Sequence, residues 1–130
     1  MKERSLLLIK PNANKKIGSI LKMLEDNFFE IVQLKKFLME RELANQFYAI
    51  HKERPFFDEL VTFMTSDDII AVEVQKENAV TRLREIIGAT NPAEAKAGTL
   101  RYLFAKNITE NGVHGSDSIE NAKKELSIIF

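Results

Sequence analysis

The residues with the widest chemical reach are two histidines, His51 and His114. His114 stands in Asn111-Gly112-Val113-His114-Gly115-Ser116-Asp117-Ser118, where flanking glycines remove side-chain cover and leave room for a substrate to reach the imidazole. That context suits catalysis; the alternative is a turn histidine beside a helix cap. Glu125 lies seven residues after Ser118, on the same face of the helix expected there, and can extend a carboxylate toward His114 to orient the ring. A solvated helix glutamate has the same spacing. Asp117-Ser118-Ile119-Glu120 resembles a capping box, which gives Asp117 the first duty of bonding first-turn amides.

A phosphate site needs either the amides of a glycine-rich loop or a set of cations, and the chain has neither a GxxxxGK[ST] nor a GxGxxG run. Cations must then do the work. Arg84 near a helix end and Arg101 inside a long loop are candidates, because guanidinium forks bind phosphoryl oxygens bidentately. A cation favoured by the helix dipole and an ordinary surface residue are the plainer readings of the two. Lys10 follows four apolar residues directly, so its amine is either snorkelling or bonded. Phe56 and Leu60 fall one helical turn apart and read first as core, although Arg54-Pro55-Phe56-Phe57 lets one aromatic face in while the other covers a planar base. No HxxxH or HExxH spacing exists, which argues against a protein-only metal cage.

The elements that must position these groups follow from periodicity. Leu6 to Ile9 reads as a strand buried on both faces and stopped by Pro11. Ile17, Ile20, Leu21 and Leu24 make an amphipathic helix ending near Asn27; Phe28 to Phe37 reads as a strand. Helices are expected over 40 to 50 and from Pro55, a strand over Ile69 to Gln75, and a helix through Ala79, Leu83 and Ile87 with Gly88 as a left-handed cap. Between Gly88 and Gly115 only Thr99 to Ala105 offers a short regular piece, in a stretch of the length usually reserved for function. A last helix carries Ile119, Ala122 and Leu126. With a short strand before that last helix, this order predicts an α+β fold, a ferredoxin-like βαββαβ sandwich with a four-stranded antiparallel sheet and helices packed on it.

The 130 residues carry nineteen basic and nineteen acidic side chains and no cysteine. A formal charge of zero gives no field to gather nucleic acid or anionic membrane, so neither is expected as a partner. Disulfides and thiolate zinc sites are excluded, and the N-terminal apolar run is too short for a signal peptide or span. One cytoplasmic domain over residues 1–130 is the expectation.

Taken in order, Leu8-Ile9-Lys10-Pro11, Arg54-Pro55-Phe56-Phe57, Gly88-Ala89-Thr90-Asn91-Pro92-Ala93, Gly98-Thr99-Leu100-Arg101 and Val113-His114-Gly115-Ser116-Asp117-Ser118 resemble the motifs of nucleoside diphosphate kinases across essentially the whole chain. The resemblance implies ping-pong transfer of the γ-phosphate of a nucleoside triphosphate, mainly ATP, to a nucleoside diphosphate through a phosphohistidine at His114. It assigns Glu125 and Ser116 to orienting that ring. Lys10, Tyr48, Arg84, Thr90, Arg101 and Asn111 would bind phosphates and ribose, and Phe56, Leu60 and Ile108 the base, with broad base and sugar tolerance. It further implies Mg2+ carried on the phosphates, Asp117 at most a water-mediated contact to it, a weak phosphate role for His51, and a tetrameric or hexameric homo-oligomer. The chain departs from the family pattern in its short turn after Lys10, in Ala89, in Lys96-Ala97-Gly98 and in ending at Phe130. A nucleotide-binding protein of the same fold without catalysis is the second reading; an RNA-binding domain is disfavoured by the absence of paired exposed strand aromatics.

Overall fold

The computed structural model describes residues 2–130. Four strands, β1 (Lys2–Ile9), β2 (Glu30–Phe37), β3 (Ile69–Glu77) and β4 (Val113–Gly115), form one antiparallel sheet in the order β2-β3-β1-β4. Six α-helices accompany it: α1 (Ile17–Asp26), α2 (Arg41–Phe47), α3 (Phe57–Met64), α4 (Ala79–Ile87), α5 (Leu100–Phe104) and α6 (Ile119–Ile129). This is the ferredoxin-like α+β arrangement expected from the sequence.

Helices cover both faces of the sheet, which is why the central strands are apolar without alternation. On one face Leu7, Ile9, Ile70 and Val72 pack with Ile20 and Leu24 of α1, Leu83 and Ile87 of α4, and Leu100 of α5. On the other, Leu6, Leu8, Ile69 and Ala71 pack with Phe47 of α2, Val61 and Met64 of α3, and Ile129 of α6. Leu6 to Ile9 are wholly buried. Because side chains alternate across a strand, Lys10 continues the face of Leu8, and His114, paired with Leu8, points to that same side.

Several expectations need correction. The short regular piece expected over Thr99 to Ala105 is the helix α5, capped by the Thr99 hydroxyl accepting from the Tyr102 amide. The fourth strand is Val113–Gly115 and carries His114 itself. Strand β2 begins at Glu30, since Phe28 turns the chain at φ 65°. The helix expected from Pro55 starts at Phe57, and that over 40 to 50 breaks after Phe47 into a 3-10 turn, Ala49–His51. Gly88 has φ 91° and ψ 179°, an extended glycine-only conformation rather than a left-handed cap. Ser118, not Asp117, caps α6 by accepting from the Asn121 amide; Asp117 accepts from the Asn121 side chain instead.

Candidate active site

The end of β1, strand β4 and the start of α6 meet at a cavity of about 440 Å3. On its floor the His114 ring, 22% exposed, places Nε2 3.0 Å from Glu125 Oε1. Ser116, wholly buried, donates its hydroxyl to the same oxygen at 2.6 Å. A carboxylate only accepts, so Nε2 must carry the proton, and the neutral ring then presents a lone pair at Nδ1. Among the described residues Nδ1 has no hydrogen-bond partner. Phe47 fixes the ring plane from the side, edge-on with centroids 5.3 Å apart. The result is an oriented imidazole with one free nitrogen, the geometry of a nucleophile.

Cations converge on the same space. Lys10, at 5% exposure, sits at the end of β1 with only the Thr109 carbonyl near its amine, at 3.5 Å. Burial, reinforced by the charge of Arg101, lowers its pKa to about 7. Arg101 is buried, not the surface residue its loop setting allowed; its guanidinium donates to the carbonyls of Gly88 and Val113 at 3.1 and 3.0 Å. It therefore ties the end of α4 to the histidine strand. Burial first and Arg84 second hold its pKa down to about 10. Arg84 stands exposed in the last turn of α4 and lines the cavity with Thr90 and Asn111.

Three buried polar atoms of this lining lack any protein partner: Tyr48 Oη, Arg101 Nε and Asn111 Oδ1. Buried donors and acceptors are normally satisfied, so three unpartnered atoms on residues of one cavity wall set this wall apart. Burial drives the Tyr48 phenol well above its ordinary range, keeping it a donor, with Glu125 adding to the shift. His51 leans on Tyr48 and on Phe56, with ring centroids 6.5 and 5.5 Å apart, and burial, with Arg54 and His114, pushes its pKa down.

At the mouth, Phe56 and Ile108 are exposed and Leu60 is buried beneath them, while Phe57 turns inward to the core. The arginine-proline-phenylalanine-phenylalanine turn thus does split its two aromatics as expected. A wider concavity of about 650 Å3 lies on the other side of Ile108 and Thr109, but Lys106 is the only cation in its lining and no histidine reaches it.

A sequence model described as nucleoside diphosphate kinase matches residues 3–130. The chain belongs to the nucleoside diphosphate kinase family. A family protein from Persephonella marina is 50% identical over 130 residues, covering 98% of this chain and 93% of that one. One from Campylobacter jejuni is 51% identical over 98% of this chain and 95% of its own. Among solved structures, the Aquifex aeolicus nucleoside diphosphate kinase superposes with a TM-score of 0.97 at 41% identity, covering 100% of this chain and 96% of that one. A halophilic nucleoside diphosphate kinase from Halobacterium salinarum, solved in complex with CDP, gives 0.95 at 32% identity over 100% and 88%. The protein is a phosphotransferase of this family.

Of the residues singled out from sequence, Lys10, Tyr48, Phe56, Leu60, Arg84 and Thr90 line the cavity, as do Arg101, Ile108, Asn111, His114, Asp117 and Glu125. Ser116 stands behind Glu125 rather than in the wall. Phe47 and Asn121 were missed as neighbours of the site. Phe47 sits on a helical stripe that also feeds the core, and nothing in spacing separates those two duties. The short turn after Lys10 is a 3-10 helix, Pro11–Lys16, anchored by Asn12 donating to the carbonyls of Phe104 and Glu110, each at 3.0 Å. Among the described residues no helix is long and apolar enough to cross a membrane.

Proposed function

We propose that residues 1–130 form one cytoplasmic nucleoside diphosphate kinase domain that moves the γ-phosphate of a nucleoside triphosphate, mainly ATP, to a nucleoside diphosphate through a phosphohistidine at His114. The observation that carries this reading is the pairing of His114 Nε2 with Glu125, which leaves Nδ1 free in a cation-lined cavity. In the first half-reaction the Nδ1 lone pair forms a bond to the γ-phosphorus as the bond to the bridging oxygen breaks, and the diphosphate leaves. Glu125 stays on Nε2–H and balances the positive charge gathering on the ring. The second diphosphate reverses the step from the same position, so no separate acceptor site is needed.

Lys10, Arg84 and Arg101 hold the phosphates; an arriving phosphate restores the full charge of the Lys10 amine, since an opposite charge favours the protonated form. Tyr48, Thr90 and Asn111 meet phosphate and sugar oxygens; the orphaned Tyr48 Oη supports a donor to phosphate, and the orphaned Asn111 Oδ1 an acceptor for a sugar hydroxyl. The base lies between Phe56 and Ile108 over Leu60, where flat apolar contact reads no base edge and tolerates every nucleobase. Among the described residues no cluster of three or more ligating side chains exists. Asp117, the carboxylate at the mouth, already accepts from Asn121, a donor set that fits Mg2+ arriving on the nucleotide and met at most through water. Magnesium supplies charge neutralisation on the phosphates when bound.

The exposed Leu34 and Leu38, on and just after β2, whose outer edge is open, support self-association, which we read as a homo-oligomer of tetrameric or hexameric type. The test is labelled ATP: acid-labile, base-stable phosphate should appear on His114, and His114→Asn should lose both label and exchange. Turnover retained in that variant removes the mechanism. A panel of purine and pyrimidine diphosphates, with light scattering on the same sample, checks base tolerance and assembly.

A further inference from the structure

Lys10 is a buried primary amine with no counter-ion among the described residues. Among the described residues no carboxylate stands within ion-pair distance of it, its amine's single hydrogen bond is to the Thr109 carbonyl at 3.5 Å, and the charge that acts on it is that of another cation, Arg101. It opens onto a cavity of about 440 Å3 whose lining also holds Arg84 and the amide of Asn111. An amine so placed has the lone pair of a nucleophile, room for a small electrophile, and cationic groups arranged for an anionic product.

We propose that, in the nucleotide-free protein, the Lys10 amine captures carbon dioxide as a carbamate, making this lysine a reversible modification site. The amine lone pair forms the new N–C bond, one C–O π pair moves onto oxygen, and the nitrogen releases one proton to water. No electrons are gained or lost, and loss of CO2 restores the amine. A side chain that carried at most +1 then carries −1, and the guanidiniums of Arg101 and Arg84 stabilise it as they would a phosphate oxygen.

The balance favours Lys10 over every surface lysine. Near pH 7.5 an amine titrating at about 7 holds several hundredfold, to order of magnitude, more neutral form than a lysine at its ordinary value. An exposed carbamate also lacks a paired cation. One consequence rests on the phosphate roles proposed above: carbamate and nucleotide phosphate claim the same cations, so carbon dioxide competes with nucleotide for the cleft.

The nucleotide-free protein is equilibrated with 13C-bicarbonate near pH 7.5, trapped with a trialkyloxonium salt, and mapped by peptide mass spectrometry. The expected result is an alkyl carbamate on Lys10 at least about tenfold above any other lysine, absent from Lys10→Met and suppressed by saturating ADP. Carbamate missing from Lys10, or no more abundant there than on surface lysines, overturns the proposal. Because that comparison is made among the lysines of the unaltered protein, it does not depend on how the variant folds. Carbamate on Lys10 that ADP does not displace keeps the modification and removes the competition, while failure of the phosphohistidine assay bears on the kinase mechanism alone.

Discussion

Replacing Lys10 by methionine should make the nucleotide-free protein more stable at neutral pH while removing most of its activity. The lysine pKa falls from 10.5 to about 7 on folding, chiefly through burial and then through Arg101. At about 1.4 kcal/mol per unit, a charged Lys10 costs the folded state about 5 kcal/mol relative to the unfolded chain. Between about 7 and 10.5 the unfolded chain binds a proton that the folded protein does not, so stability rises with pH across that window. Below it both states are protonated and the full penalty remains. Methionine has a similar reach and no charge to bury. Urea unfolding followed by circular dichroism from about pH 6.5 to 9 should place Lys10→Met about 4 kcal/mol above the parent at pH 7, narrowing to about 2 near pH 9. Taking the difference cancels every other titration. A variant less stable than the parent at pH 7, or a gap that does not change with pH, refutes the reasoning.

Glu125→Gln keeps an acceptor for Nε2–H but loses the charge, and should slow phosphoenzyme formation by about tenfold; Glu125→Ala leaves both His114 and Ser116 unpaired and should cost about a hundredfold. Rapid-quench kinetics with labelled ATP measures both, and 15N NMR should show the single His114 tautomer becoming a mixture in the alanine variant. Gly88→Ala forces a side chain into φ 91°, with the new Cβ 2.5 Å from Thr99 Oγ1, and should lower unfolding free energy by about 3 kcal/mol in urea titrations. Ser5→Ala removes a wholly buried hydroxyl that has no partner, so thermal unfolding should show a change between zero and a gain of about 1 kcal/mol, with no loss.

The parts of the molecule that were legible in the sequence are those where one physical requirement acts alone. Leu6 to Ile9 read as a strand buried on both faces because helices do cover both sides of β1. His114 and Glu125 were legible as partners because seven residues of helix bring a side chain back to its starting face. What escaped depends on contacts distant in sequence. Helix α5 has five residues, too few for a periodic stripe, and is held by the Thr99 cap and by Arg101 reaching Gly88 and Val113. Strand β4 has three residues, two of them histidine and glycine, and is a strand only because β1 offers it a ladder. Arg101 resembled a loop arginine because nothing local tells that two carbonyls await it. Ser118 and Asp117 compete for one capping role, and sequence rules rank them nearly equal.

Strand β4 lies at the margin of the sheet and pairs with β1 alone, over three residues. The histidine therefore rides on the shortest strand of the sheet, and Arg101 and α6 reinforce an alignment that this short ladder begins. Gentle warming should fray this strip while the remaining sheet stays intact, so that phosphotransfer is lost, reversibly, several degrees before the bulk transition, and the amides of Val113 and His114 exchange ahead of those in β3.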